Sequence, residues 1–324
     1  MNHINGELPC GDGFRWGQNV FGPTGTNFER IDDIDRPGRQ GGRMGIQKRR
    51  VDGVVILAVC FFFGLMQGVA FCGALDGFSG LEGTIAIAGG TAHIPVMNDA
   101  AKNIMTVNPG IRITVEGGGS GVGVQKVGEG LADIGNTGRA LSELEIAKYG
   151  LKSFAFALDG VAAAVHPENP VSDLSPQQVR DIFAGSITNW KAVGGMDAPI
   201  HLFCRDEASG TREVFWEKLL KKGPVAATAN IVASNGAMKV AISQDKNAIG
   251  YVGIGHVDQS LKALKLEGIA ATQENAMNGS YPVVRKLYMN TRGEPSKLVR
   301  TFIDYVMGPE CADIIKKYGY IPLK

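Results

Sequence analysis

Three things are scarce in this sequence, and each scarcity excludes a class of function. Charge of one sign is missing: 33 Lys and Arg stand against 32 Asp and Glu, a net +1 over 324 residues. No stretch interleaves basic residues with aromatics, so no electrostatic case for nucleic acid arises. Cysteine is rare and poorly placed for a disulfide framework. Of the five, Cys10, Cys60 and Cys72 lie in a divergent N-terminal segment, which leaves Cys204 and Cys311 as two partly buried thiols rather than a bridge. Histidine also numbers five, and His93, His166, His201 and His256 lie far apart without metal-ligand spacing, so no metal site and no cofactor are expected.

Signatures of nucleotide and acyl chemistry are missing too. The run EGGGSGVG (116–123) offers no frame for G-x-G-x-x-G, and Val124 follows Gly123 where a P-loop needs Lys then Ser or Thr. Ser120 is not a nucleophile elbow, because position 122 is valine. CRDEASGTR (204–212) has the look of a cysteine phosphatase loop, but that chemistry needs an arginine six positions after the thiolate. Position 210 is glycine and Arg212 is too far along.

What is present begins with a leader. Residues 1–43 are polar and glycine-rich without hydrophobic periodicity, and are expected to be disordered or to follow a start codon placed too early. Met44 opens MGIQKRR, then the apolar VVILAVCFFFGLM (54–66), then small residues. That is the anatomy of a secretory signal peptide over 44–74, with cleavage expected after Ala74. A membrane anchor is the alternative, since the apolar stretch extends to about 20 residues. Lipid attachment at Cys72 is a third, with Phe71 where a small residue is expected.

From Leu81 onward strand and helix alternate, predicting an α/β fold of sheets flanked by helices, mainly parallel in the pattern. SPQQVRDIFAG (175–185) carries a full set of helix signals: Ser175 as N-cap, Pro176 at the first position, Gln178 completing a capping box, Gly185 past the end. Three strand-to-helix junctions share one composition: AGGTA (88–92), GGGSGVG (117–123) and EASGT (207–211). Each bares the backbone and then supplies a hydroxyl, from Thr91, Ser120, Ser209 or Thr211. Open amides at a helix N-terminus form an anion site, although Ser and Thr there are also ordinary N-caps. Glycine costs roughly 0.5–1 kcal/mol against alanine, so the run at 117–123 needs a reason; the reading taken is that it lets an oxyanion reach bare amides.

From Thr84 to the C-terminus the chain resembles the periplasmic phosphate-binding proteins of phosphate ABC transporters. The runs that carry the resemblance are GGGSGVGVQKVGEGLADIG, LDGVAAAVHPENPVSDL, QVRDIFAGSITNWKAVGG, RDEASGTREVF, AIGYVG, YPVVRKLYM and KKYGYIPL. The resemblance implies a two-domain type II binding-protein fold with mixed sheets and a ligand cleft between domains. Domain 1 is expected to be discontinuous (81–160 plus 271–324) and domain 2 to span 161–270. It implies phosphate ligands Thr91, Ala92 and Ser120 from the first two junctions, and Arg205, Ser209, Gly210 and Thr211 from the third. Gly90, Glu207, Gly119 and Gly121 support the site, with Glu207 as the acidic partner of Arg205. Where the best-known branch has an aspartate that accepts the phosphate proton, this chain has Gly138; Asp159 and Arg139 are the replacements expected from a related branch. The implied partners are inorganic phosphate and the permease subunits, for a monomer in the periplasm. A binder of another tetrahedral oxyanion, a tethered phosphate sensor and a phosphate-site enzyme stay open as alternatives.

Overall fold

The computed structural model describes residues 73–323. The polar start at 1–43, the leader apart from its last two residues, and Cys10, Cys60 and Cys72 lie outside the described residues. Among the described residues, no helix is long and apolar enough to cross a membrane.

After a short 3-10 turn at Ala74–Phe78 come β1 (Gly83–Gly89), α1 (Ile94–Val107), β2 (Ile111–Gly118), α2 (Ser120–Gly128), β3 (Ile134–Thr137), α3 (Glu143–Tyr149) and the long β4 (Leu151–Val165). Then follow β5 (Asp173–Leu174), α4 (Pro176–Phe183), β6 (His201–Arg205), α5 (Gly210–Lys218), β7 (Asn230–Val232), α6 (Asn235–Ser243) and β8 (Ala248–Gly253). The chain closes with β9 (Lys262–Ala263), β10 (Lys265–Leu266), α7 (Gln273–Met277), β11 (Val284–Arg292), α8 (Lys297–Met307), α9 (Pro309–Lys317) and β12 (Ile321–Pro322).

The strands order as β2-β1-β3-β11-β4-β8-β6-β7. Parallel pairing holds at both ends, β1 with β2 and β3, and β6 with β7 and β8. The middle is antiparallel, because β11 returns between β3 and β4, and β4 pairs antiparallel with β8. The sheet is therefore mixed rather than mainly parallel. Alternation of strand and helix reports parallel units only where each crossover is local, and β11 pairs with strands formed more than a hundred residues earlier.

Two apolar cores form on this sheet. The first gathers Ile85, Ile87, Val96, Met97, Ile104 and Ile134 with Phe156 and Ala157, and then Leu287, Met289, Phe302 and Ile303 from the far end of the chain. The second gathers Val161, Ala163, Val165, Phe183, Trp190, Phe215, Tyr251, Tyr281 and Val283. Tyr281 and Val283, within the stretch expected to return to the first half, thus pack in the second core. β4 serves both: its second half, Val161–Val165, is buried on both faces as an apolar run, the pattern of a central strand. Local signals behave as expected. Ser175 and Gln178 form the reciprocal capping box of α4, and α8 buries Val299, Phe302, Ile303, Tyr305 and Val306 along one stripe.

Candidate functional site

The carboxyl ends of β1, β2, β3 and β6 converge, the place where open α/β sheets bind ligands. A cavity of about 190 Å³ of empty space sits there, lined by Gly90, Thr91, Ala92, His93, Gly119, Ser120, Gly138, Arg205, Ser209, Gly210, Thr211 and Arg285. The three glycine-and-hydroxyl junctions are thereby brought together.

Only one of their hydroxyls is an N-cap. Ser209 Oγ accepts from Arg212 N at 3.2 Å at the head of α5. Ser120 is the first residue of α2, and its Oγ accepts from Gly138 N at 2.9 Å. Thr91 lies three positions before Ile94, the first residue of α1; its Oγ1 accepts from Asn235 N at 3.3 Å and Nδ2 at 3.1 Å. Thr211 Oγ1 accepts from Arg285 Nη1 at 2.8 Å. In each case the oxygen accepts from a protein N–H and keeps its own proton to donate.

The glycines have a nearer reason than ligand access. Gly118 and Gly119 hold φ of 126° and 90°, where side chains are strained. A Cβ on Gly119 would stand 2.6 Å from Ala208 O, one on Gly123 2.6 Å from Asn136 O, and one on Gly210 2.2 Å from Ser120 Oγ. Gly121 N donates to Ala208 O at 3.0 Å, tying the second junction to the third. The backbone is bare so that α2 packs on the sheet and the junctions meet each other, and the cavity is what remains between them.

Arg205 ends β6 at 1% exposure. Nε donates to Val232 O at 3.0 Å and Nη2 to Ala233 O at 2.9 Å, whereas Nη1 is buried without a partner. Burial lowers its pKa, opposed by nearby Asp206. An anion in the cavity is the missing partner for Nη1. Glu207, expected to pair with this arginine, is exposed and stands 4.0 Å from Arg212 instead. The residue adjacent in sequence, Asp206, supplies the local negative charge.

The two expected replacements for the acceptor aspartate lie off the cavity lining. Arg139 spends its guanidinium on Glu145, at 2.7 and 2.8 Å, on Glu213 at 2.6 Å, and on Ala140 O at 2.9 Å. Its hydrogen bonds, helped by those from Ser142, hold the Glu145 carboxyl down at about 2. Asp159 is fully buried, and its Oδ2 accepts from Arg285 Nε at 2.9 Å and Nη2 at 2.6 Å. Burial pushes the Asp159 carboxyl up against the pull of Arg285.

Arg285 and His93 line the cavity without having been expected there. Arg285 is the second residue of β11 and pairs directly with Asp159 across the ladder. Its Nη1 stands 2.6 Å from where a Cβ on Gly138 would be, so the guanidinium fills the side-chain space that the branch aspartate needs. The sequence signal was an arginine, followed by Lys286, in the otherwise apolar run YPVVRKLYM, opposite a lone aspartate in FALDGVA. His93 is fully buried beside Phe156, ring centroids 5.5 Å apart. Neither ring nitrogen has a hydrogen-bond partner, although the backbone of Gly90, Tyr288 and Thr137 stands close enough to favour the charged form slightly. Burial first, and the Arg285 charge second, hold its pKa down at about 3, so the ring is neutral at physiological pH.

The chain matches known proteins along this whole region. The family model described as a PBP superfamily domain matches residues 79–310. The phosphate-binding protein PstS of Bacillus subtilis (strain 168) is 35% identical over 245 residues, 75% of this chain and 81% of that protein. The PstS of Pseudomonas aeruginosa PAO1 is 31% identical over 76% of this chain and 84% of its own. Among solved structures, a putative phosphate ABC transporter substrate-binding protein with bound phosphate from Clostridium perfringens superposes with a TM-score of 0.72 at 36% identity. It covers 75% of this chain and 100% of that one. An ABC-type phosphate transport receptor from Vibrio cholerae gives 0.61 at 34%, over 73% and 99%. With the junctions, the mixed sheet and these likenesses together, the chain belongs to the PBP superfamily and, within it, to the PstS-type phosphate-binding proteins.

Proposed function

We propose that this protein binds inorganic phosphate outside the cytoplasm and hands it to the transmembrane permease of an ABC transporter. One observation carries the reading: a fully buried arginine ends in an unpartnered Nη1 at a cavity walled by hydroxyl donors and helix N-termini, with no carboxylate in the lining. Such a cavity is electrically incomplete until an oxyanion enters. The relatives named above are phosphate-binding and transport proteins, which supports the same ligand here.

The ligand set we propose is Thr91, Ala92, Ser120, Arg205, Ser209, Gly210 and Thr211, with Arg285 added as a second cation. Asp159 acts through Arg285, which it holds in place, and Arg139 acts through Glu145 and Glu213 at the rim. Binding without turnover fits this arrangement. Cys204 Sγ lies 3.2 Å from Tyr251 Oη in the second core, off the cavity, so the thiol is not placed to attack a bound oxyanion.

We further propose that the two cores are lobes that open about the crossings of β4 and β11. Closure is then held by Thr91–Asn235, Gly121–Ala208 and Arg139–Glu213 contacts. The exported protein works as a monomer in this reading. The test is calorimetry on the purified protein from which phosphate has been removed. Wild type binds phosphate at one site, and Arg205→Ala loses several kcal/mol, because a buried anion loses a close cation. Near-native affinity in Arg205→Ala would sink the assignment.

A further inference from the structure

We propose that His93 is the specificity residue of this site: its uncharged ring nitrogen accepts the proton of a protonated tetrahedral oxyanion, the part a carboxylate at position 138 would otherwise play. The inference rests on the oxyanion reading above and goes beyond it by naming how the ligand's proton is read.

At neutral pH phosphate carries at least one proton and sulfate carries none. A site shut off from water can tell them apart only through an acceptor aimed at that proton. The cavity lining is short of acceptors. Its four hydroxyls each already accept from a protein N–H, Thr91 Oγ1 from two, and each keeps a proton it can donate to the ligand. Gly90 O is taken by His93 N, and Ala92 O by Tyr320 Oη at 2.8 Å. Both arginines only donate. Asp159 Oδ2 is occupied twice by Arg285; its Oδ1 is unpartnered, but Asp159 does not line the cavity.

His93 does line it, and it is the lining side chain whose acceptor is uncommitted. A neutral imidazole always presents one N–H and one lone pair. Here both are fully buried and neither finds a partner in the protein, an arrangement that is costly unless a ligand completes it. Arg285 on β11 is the charged group that faces the ring, Phe156 on β4 stacks against it, and the backbone of Gly90, Thr137 and Tyr288 closes the remainder. The cation and the burial both keep the lone pair free of a solvent proton.

A neutral acceptor discriminates differently from a carboxylate. It does not repel the anion's charge, and it loses only one hydrogen bond when sulfate replaces phosphate. The backbone of Gly90, Thr137 and Tyr288 lies near the ring without a formed hydrogen bond, so either tautomer is open to it and an N–H can also face sulfate. The preference for phosphate is therefore expected to be real but moderate.

The test is competition calorimetry of phosphate and sulfate on the phosphate-free protein, with thermal melting to confirm that each variant is folded. His93→Phe keeps a ring and removes both nitrogens. It is expected to weaken phosphate about ten- to a hundredfold while sulfate is unchanged or improved, so the ratio collapses. His93→Gln restores an amide acceptor and recovers part of the ratio. In wild type, the ¹⁵N resonance of the unprotonated ring nitrogen moves toward the hydrogen-bonded range when phosphate is added and stays when sulfate is added. An unchanged ratio in His93→Phe, or an equal loss of both anions, overturns the proposal, as does a ¹⁵N signal that ignores phosphate. Wild type that binds neither anion overturns instead the oxyanion reading on which it stands.

Discussion

The buried pair Arg285–Asp159 is expected to be sensitive to a single substitution. Their side chains are 2% and 0% exposed, and the guanidinium spends two donors on Asp159 and one on Thr211. Arg285→Met removes the cation and leaves a carboxylate sealed in the sheet beside an anion cavity. Breaking one half of a buried pair costs about 3–5 kcal/mol. Burial already drives the Asp159 carboxyl up, and without Arg285 it rises further. The sign of the pH dependence follows. A carboxyl whose folded pKa lies above its unfolded value destabilises the variant only where the unfolded chain has released the proton. The deficit is small near pH 4 and grows with pH until the folded carboxyl also ionises. Arg285→Met/Asp159→Leu removes the charge as well as the cation and is expected to regain most of the loss. Phosphate binding is a separate readout: both variants lack the second cation, so both stay weak. Urea unfolding at pH 5 and pH 7.5, with calorimetry on the same samples, measures all of this. A single variant within about 1 kcal/mol of wild type at pH 7.5, or a double variant no better than the single, refutes the reasoning.

Two further outcomes follow from the same neighbourhood. Gly138→Ala places a methyl group 2.6 Å from Arg285 Nη1, so the guanidinium must leave Thr211. Phosphate affinity measured by calorimetry is expected to drop about ten- to a hundredfold, and unchanged affinity would show that the guanidinium yields freely. Acid should unfold the protein early, because His93 and His256 are held down at about 3 and about 4 while the unfolded chain titrates near 6.5. Stability is full above about pH 6.5 and falls as pH drops, by about 2 kcal/mol per histidine at pH 5. His93→Phe should flatten that slope in urea titrations; a parallel slope would mean His93 is not buried neutral.

The junctions were legible because their signal is local: glycine, a hydroxyl and a helix start fall within a few residues of each other. The capping box at Ser175 was readable for the same reason. Arg285 was not, since it meets Asp159 and Thr211 only through sheet register, 126 and 74 residues away. Arg139 was drawn toward the cavity by resemblance, yet Ser142-x-x-Glu145 just beyond it spelled a capping box whose glutamate is the arginine's partner. The glycines of 117–123 were assigned to ligand approach; the contacts at Gly119 and Gly123 assign them first to packing between elements, which no single segment displays.

The insertion of β11 between β3 and β4 also orders events in time as the chain lengthens. The second core is assembled from one continuous stretch, residues 161–283, and can close as soon as that stretch is available. The first core cannot. Until residues 284–292 arrive, β3 and the first half of β4 have no strand between them, and Phe302, Ile303 and Ile315 are still missing from the apolar cluster. Long-range pairing of this kind is slow, because loop closure comes before any contact rewards it. Growth from the N-terminus thus leaves β1 to β3 with an unpaired edge on β3 until residues 284–292 have been made, a window in which they stay open to other chains.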